Sequence, residues 1–252
     1  RMASRAGTRR PGDRVFAALT TGSGVLVVPL VVLVALFLID RAAPVIAKDK
    51  ASFLFSRGYD VALEPLRFGV LDLLWVTCVS SLIALLLAVP VAIGIALFIT
   101  QYAPAWARRP VGYVVDLLAA IPSIVYGIWG ILVLAPHLTS IQRALYHLGF
   151  IPLFADKGFA TGTIFDAAVV LAVMILPIIT AVGRDVFEQT PRGTVEAAWA
   201  LGATRWEVIR LAVLPYGRPG VVAGSMLGLG RALGETIAVL LILSTPPKNA
   251  PF

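Results

Sequence analysis

Five long stretches of this sequence carry almost no charge, and they constrain its fold more than any other feature. Four of them contain no charged residue and are bounded by Arg14 and Asp40, Asp72 and Arg108, Asp116 and Arg143, and Asp166 and Arg184. The fifth runs from Pro219 to Leu243 and contains only two charged residues, Arg231 and Glu235. Crossing a bilayer takes roughly 20 apolar residues in a helix. Each stretch is therefore a candidate transmembrane helix.

The composition excludes an ordinary soluble domain. Hydrophobic residues make up 59% of the 252 positions and charged residues 14%, with a mean hydropathy of +0.90. Soluble domains hold roughly 45–50% apolar and about 25% charged residues. We therefore predict an all-α fold, a polytopic membrane helix bundle with about five spans. Because the fifth span is followed only by STPPKNAPF, we expect a sixth helix to be missing at the C-terminal end.

The net charge of +7 is distributed as in a membrane protein rather than as in a nucleic-acid-binding one. Five arginines precede the first span, namely Arg1, Arg5, Arg9, Arg10 and Arg14. Cytoplasmic segments next to membrane helices are enriched in Lys and Arg. The sequence therefore predicts a cytoplasmic N-terminus.

These spans divide the chain into three predicted parts. Residues 1–14 form a basic cytoplasmic tail, residues 15–67 a membrane helix with an outer loop, and residues 68–252 a truncated transmembrane domain. The predicted spans are Val15–Ile39, Leu73–Tyr102, a third ending near Leu138, Ile164–Val182 and a fifth beginning at Pro219. The segment 184–218 is then a cytoplasmic loop.

Two spans contain residues that affect helix geometry. Pro122 in the third span lacks an amide hydrogen and should kink or break the helix, exposing backbone groups that need new partners. Ser123 and Tyr126 follow it, and the segment either forms a simple kink or lines a pore. In the fifth span, glycines at four-residue spacing, Gly220, Gly224 and Gly228, then Gly230 and Gly234, predict close packing against another helix.

The cytoplasmic loop carries the start and stop signals of a helix–turn–helix elbow. Thr190, followed by proline, predicts a capped helix start. Gly202 can take the left-handed conformation that ends such a helix. Thr204 and Glu207 then have the spacing of a capping box, which predicts a second short helix. We expect Pro215 to end that second helix.

Part of this elbow resembles the cytoplasmic signature of ABC importer permeases, which reads EAA, three residues, Gly, nine residues, Ile, one residue, Leu-Pro. The matching positions are Glu196, Ala197, Ala198, Gly202, Leu214 and Pro215. Ala212 stands where the family has Ile, a small loss of apolar bulk. The resemblance implies the type I ABC importer transmembrane fold, with an elbow that docks into a separate ATPase subunit and couples to it.

The chain itself has no G-x-x-x-x-G-K-[ST] phosphate loop, the backbone cradle with which many ATPases hold their nucleotide. We therefore expect it not to be an enzyme and to bind no cofactor or metal of its own. ATP and Mg²⁺ would be bound by the partner ATPase.

Arg231 and Glu235 lie four residues apart inside the predicted fifth span, a spacing that puts both on one face of a continuous helix. An ionisable group near the bilayer centre is costly and faces protein or a water-filled path. The two side chains either neutralise each other as an ion pair, or Arg231 offers its planar fork of donors to an anionic substrate.

Three segments resemble the phosphate-importer permeases of the PstC type: GLGRALGET, IPSIVYGIWG and EAAWALGATRWEVIRLAVLPY. Sulfate and molybdate permeases carry a similar Arg-x-x-Gly-Glu pattern, so these oxyanions stay as alternative substrates. The resemblance implies that Arg231 and Glu235 take part in translocation, in a bacterial plasma membrane. The implied partners are a second permease subunit (PstA-like), an ATPase dimer (PstB-like) and an extracytoplasmic phosphate-binding protein (PstS-like).

Two hypotheses come from other functional classes. An intramembrane enzyme could use Arg231, Glu235 or His147, but no paired metal-ligand motif or nucleophile–base spacing supports it. A membrane anchor or receptor could use the elbow to recruit a cytoplasmic protein without transport. Such an anchor would have no use for charges inside the membrane, which favours the transporter.

Overall fold

The structure is a computed structural model, and it describes residues 11–48, 55–56, 59–60, 67–147 and 162–244. The chain forms two compact units, Arg1–Leu73 and Leu74–Phe252. In the first unit, helix α1 runs over Pro11–Lys48, and two short strands, β1 (Tyr59–Asp60) and β2 (Arg67–Phe68), pair antiparallel.

Helix α1 is long, apolar and exposed along its described length. It includes the predicted first span, Val15–Ile39, but begins earlier and continues to Lys48, so the helix extends into the predicted outer loop. Apolar residues surround the helix instead of forming a stripe, as expected for a helix whose solvent is lipid.

The second unit is built from helices. They are α2 (Leu71–Leu97), α3 (Ala105–Ala119), α4 (Ser123–Trp129), α5 (Ala135–His147), α6 (Ile164–Glu188), α7 (Arg192–Ala200), α8 (Arg205–Val208), α9 (Leu214–Leu233) and α10 (Ile237–Leu243). In the described residues, π-helical turns join or extend them at Phe98–Tyr102, Gly130–Leu134 and Ile209–Val213.

Among the described residues, four continuous helices are long and apolar enough to cross a membrane: Pro11–Pro44, Leu71–Tyr102, Ser123–Gln142 and Ile164–Glu188. A fifth candidate is the pair Arg205–Leu233 and Ile237–Leu243, which meet at an angle of 57°. The predicted all-α membrane bundle with about five spans is therefore confirmed.

Several predicted boundaries are wrong. The fourth span continues to Glu188, six residues past its predicted end. Between the predicted second and third spans, Arg108 and Arg109 lie in the separate helix α3. The helix that contains the fifth span begins not at Pro219 but at Arg205, because α8, a π-helical turn and α9 form one rod.

Pro215 does not end the second elbow helix, contrary to the prediction. A proline ring normally clashes with the carbonyl four residues earlier. Here that carbonyl belongs to Leu211, which lies in the wider π-helical turn Ile209–Val213. Because Pro215 comes directly after this turn, the rod continues from the elbow into the membrane.

Helix α6 is the centre of the second unit, with 61% of its most apolar window buried. Its start is held by a reciprocal cap, in which the Thr163 side chain accepts from the Asp166 amide and the Asp166 carboxylate accepts from the Thr163 amide. Asp166 is only 1% exposed and also accepts a 2.8 Å bond from the Gln142 amide nitrogen. The buried carboxylate therefore ties the end of α5 to the start of α6.

The predicted close packing of the fifth span is confirmed where α9 meets α6. A Cβ added at Gly220 would lie 2.3 Å from a methyl carbon of Val186, and one at Gly228 would lie 2.9 Å from Ile179. Gly224 faces Val182 in the same way. Gly230 differs, since a Cβ there would have no neighbour within 4 Å.

Replacing Gly220 with alanine should destabilise the bundle by about 1–3 kcal/mol, the usual cost of overpacking a close contact. The added methyl group overlaps Val186. The measurement is the midpoint of thermal unfolding of the detergent-purified complex.

Gly94→Ala is the matched control, because a Cβ at Gly94 meets nothing within 4 Å. The double variant Gly220→Ala, Val186→Ala should recover most of the loss. Equal effects of the two single glycine variants would contradict the contact.

Candidate functional site

The elbow is formed by α7, a tight turn and the start of the rod at Arg205. Gly202 has a φ of +78°, the left-handed conformation that the sequence predicted. The Gly202 amide donates to the Trp199 carbonyl at 2.9 Å, and the Ala203 amide donates to the Ala198 carbonyl at 3.2 Å. These two bonds form a Schellman motif, which satisfies carbonyls left open at the end of α7.

The predicted capping box on the other side of the turn is present. The Thr204 side chain accepts from the Glu207 amide, and the Glu207 carboxylate accepts from the Thr204 amide at 2.7 Å. The predicted cap at Thr190 is wrong, because Pro191 occupies the cap position and the Thr190 hydroxyl donates back to Phe187. The turn is therefore fixed by local hydrogen bonds on both sides.

The signature residues on and just after α7 are mostly exposed, whereas Leu214, at the start of α9, is packed against the bundle. Glu196, Ala197 and Gly202 are exposed, and Ala198 is half-buried. Leu214 packs against a cluster of Ala96, Phe187 and Val213, while Pro215 beside it is exposed. Ala212, which departs from the signature, is buried.

Large apolar side chains on the elbow are left uncovered. Leu201 is 89% exposed, Trp206 57% and Trp199 48%. Contiguous exposed apolar surface outside the bilayer usually marks a protein–protein contact. The start of the rod also contacts the π-helical turn that follows α2, because the Arg205 guanidinium lies 5.3 Å from the centre of the Tyr102 ring.

Arg231 and Glu235 do not share one helix face, contrary to the prediction. Helix α9 ends at Leu233, and Glu235 lies in the break before α10. Its carboxylate accepts a 3.1 Å hydrogen bond from the Ala238 amide, in the first turn of α10. Glu235 therefore caps α10, where the positive end of the helix dipole favours a carboxylate.

Arg231 is exposed and makes no ion pair with Glu235 or with any other residue in the described part of the chain. Three residues earlier, Gly228 packs against Ile175 and Ile179, near the middle of α6. Arg231 therefore lies near mid-depth of the bundle, and no carboxylate among the described residues compensates its charge.

The third span, Ser123–Gln142, begins directly after Pro122 instead of containing it. Helix α3 ends at Ala119, and Pro122 occupies the cap position of α4. The hydroxyl of the buried Tyr126 donates to the Leu118 carbonyl at 2.8 Å. In a continuous helix this carbonyl would accept from the amide of residue 122, which as a proline has no hydrogen to donate. Ser123 is half-buried and makes no capping hydrogen bond.

The two breaks lie side by side. A Cβ at Gly127 would be 3.0 Å from the Cα of Ala238, and one at Gly130 would be 3.6 Å from Ile242. Helices α4 and α10 therefore run parallel, and α4 starts two to three residues before the level at which α10 starts.

Helix α3 is held against α6 by an ion pair that sequence reasoning missed. The Arg184 guanidinium lies 3.5 Å from the Asp116 carboxylate and 3.2 Å from Asp185. Gly112 leaves room for it, since a Cβ there would be 2.9 Å from the guanidinium. The sequence signal was the lack of a side chain at Gly112, which is weak. No metal-binding group of His, Cys, Asp or Glu occurs in the described ranges.

The family described as "Binding-protein-dependent transport system inner membrane component" matches residues 88–252. The chain belongs to this permease family. The match covers the third span with the break at Pro122 before it, the elbow and the rod. These are the parts of the permease that carry its candidate site.

Relatives of this permease are named as phosphate permeases. "Phosphate transport system permease protein PstC 2" of Mycobacterium tuberculosis is 55% identical over 95% of this chain and 75% of the relative. PstC of Mesorhizobium japonicum is 43% identical over 92% and 72%. A structure of the MetNI methionine ABC transporter in inward-facing conformations covers 66% of this chain and 68% of that chain at 25% identity, with a TM-score of 0.45.

Proposed function

We propose that this permease subunit forms half of the translocation pathway of an ATP-driven phosphate importer. The observation that carries the proposal is its 55% identity, over 95% of the chain, to a protein named as a phosphate transport permease. The uncompensated Arg231 beside two helix breaks supports an anionic substrate, because a guanidinium can pair with two oxygens of an oxyanion at once.

In the proposed mechanism, Arg231 receives the oxyanion near mid-depth, beside the break before α10 and the start of the third span at Ser123. Glu235 does not compete for Arg231, because its carboxylate is held by the Ala238 amide. Interrupted membrane helices are tolerated where they line a cavity. The break at Pro122 and the one before α10 are therefore suitable walls for the path, with Ser123 close to it.

The proposed motor is a separate ATPase dimer of the PstB type, which would bind ATP and Mg²⁺. Its contact would be the elbow, whose Trp199, Leu201 and Trp206 side chains are exposed. Because α8, the π-helical turn and α9 are one rod, a push on the elbow would act directly on Arg231. A PstA-like permease would complete the path, and a PstS-like binding protein would deliver phosphate from outside.

This arrangement requires the elbow to face the cytoplasm. Four predicted spans separate the arginines before α1 from the elbow, and an even number of spans puts two segments on the same side of the membrane. The excess of arginine before the first span favours the cytoplasm for that side. The proposed location is therefore the bacterial plasma membrane, with a cytoplasmic N-terminus.

The test is ATP hydrolysis by the purified complex, containing this chain, its permease partner and its ATPase, in lipid vesicles. Phosphate-loaded binding protein should stimulate hydrolysis, whereas the sulfate-loaded protein of a sulfate importer should not. Stimulation by the sulfate- or molybdate-loaded protein instead would assign the chain to the other oxyanions. No stimulation by any loaded protein would contradict transport.

A further inference from the structure

Two clefts lie beside the rod and α6, one with balanced charges and the other with a net positive charge. The first is about 270 Å³ and contains Arg108, Arg109 and Arg184 together with Asp116, Asp185 and Glu188. Its three cationic groups are balanced by three carboxylates. It therefore needs no charged ligand.

The second cleft, about 400 Å³, lies between α2 and the rod. Its lining residues are Ile93, Arg210, Leu214, Pro215, Arg218 and Val221. Four of these are apolar, two are arginines and none is acidic. Neither arginine makes an ion pair with any residue that the structure describes.

The depth of this cleft is that of the membrane boundary. Gly217, next to Arg218, packs against Phe187 at the end of α6. Arg210 lies eight residues nearer the elbow, about 12 Å along a helix. Ile93 and Val221 lie within the spanning helices. Of the lining residues on the rod, Arg210 is therefore nearest the elbow and Val221 is farthest from it, with Leu214, Pro215 and Arg218 between them.

We propose that this cleft binds an acidic phospholipid of the leaflet on the elbow side. The headgroup phosphate would pair with Arg210 and Arg218, and an acyl chain would lie along Ile93, Leu214 and Val221. Basic pockets between membrane helices bind anionic headgroups in this way. Free phosphate fits less well, since it would leave four apolar lining residues against water.

The site lies on the rod that joins the elbow to Arg231, so an occupied cleft would brace the rod against α2. The lipid would then act as a structural ligand of the moving element. This inference is independent of which oxyanion the permease carries.

The experiment uses the purified whole complex in detergent, with phosphatidylglycerol as the probe and native mass spectrometry as the readout. The double variant Arg210→Gln, Arg218→Gln should bind phosphatidylglycerol about thirtyfold more weakly, from the electrostatic contribution of two arginines near a membrane surface. The control Arg108→Gln, Arg109→Gln removes the same charge from the balanced cleft and should retain the lipid. Arg210→Lys, Arg218→Lys should also retain it.

Further arms distinguish other occupants. Zwitterionic phosphatidylcholine should not replace phosphatidylglycerol, and excess inorganic phosphate should not displace it. Val221→Trp, which fills the cleft but leaves both charges, should also lose the lipid. Equal lipid binding by the two glutamine double variants would overturn the proposal. So would loss of a protein subunit from the Arg210→Gln, Arg218→Gln complex, which would show that the cleft seats a protein.

Discussion

Replacing Arg231 with glutamine is expected to stop phosphate uptake while leaving the complex assembled. Glutamine keeps hydrogen-bonding capacity but loses the charge that pairs with an oxyanion. Loss of a single preorganised charge-stabilising donor costs roughly two to three orders of magnitude in rate in enzymes, and we expect a comparable fall in uptake. The measurement is radiolabelled phosphate uptake into vesicles, with subunit co-purification as the check on assembly.

The expected outcome follows from the surroundings of Arg231 in this chain. The side chain is exposed and not in an ion pair with Glu235, so its removal leaves no buried partner uncompensated. Burying a charge in lipid is costly, which is why we expect it to face the path.

Two control variants sharpen the test. Arg231→Lys keeps the charge but not the planar fork, and should give intermediate uptake. Glu235→Gln should retain more uptake than Arg231→Gln, because a glutamine oxygen can still accept from the Ala238 amide. A complex that falls apart on Arg231→Gln would instead make Arg231 a structural residue.

Replacing Gly202 with valine is expected to uncouple ATP hydrolysis from transport. Gly202 has a φ of +78°, and a residue with a Cβ pays about 1–2 kcal/mol in that conformation. The strain would open the turn that holds α7 on the rod. A strain of this size shifts the equilibrium between the closed and the opened turn about tenfold. The amount of phosphate transported per ATP hydrolysed should therefore fall about tenfold.

The matched control is Gly202→Asn at the same exposed position. Asparagine tolerates the left-handed conformation far better than valine, so its coupling ratio should stay near that of the wild type. Both ratios come from paired uptake and hydrolysis assays on the same vesicles. Equal coupling by the two variants would show that the left-handed turn is not needed for force transfer.

Local signals were most reliable in the elbow. Gly202 and the Thr204–Glu207 capping box depend on residues within four positions of each other, and both are present as predicted. The predicted Thr190 cap is wrong because the Thr190 hydroxyl donates to the Phe187 carbonyl in the preceding helix. Nothing in the short pattern around Thr190 distinguishes these two partners.

The errors at Pro215 and Glu235 have one cause, since both assumed ideal helix geometry. A π-helical turn lets the rod pass Pro215, and a break at Gly234 puts Glu235 on α10 instead of beside Arg231. Both lie at an end of α9, which packs against α6 where Gly220 and Gly228 permit close contact. Spacing along the sequence cannot report such packing.

The sequence by itself determined the membrane class, the number of spans and the turn of the elbow, because hydrophobic length and backbone caps are properties of contiguous residues. Only the tertiary structure decided that the elbow and the fifth span are one rod and that the two helix breaks lie together. It also decided that Arg231 has no ion-pair partner in the part of the chain that the structure describes. These features depend on contacts between helices far apart in sequence, such as Gly127 with Ala238, and such contacts leave no periodic trace in either segment.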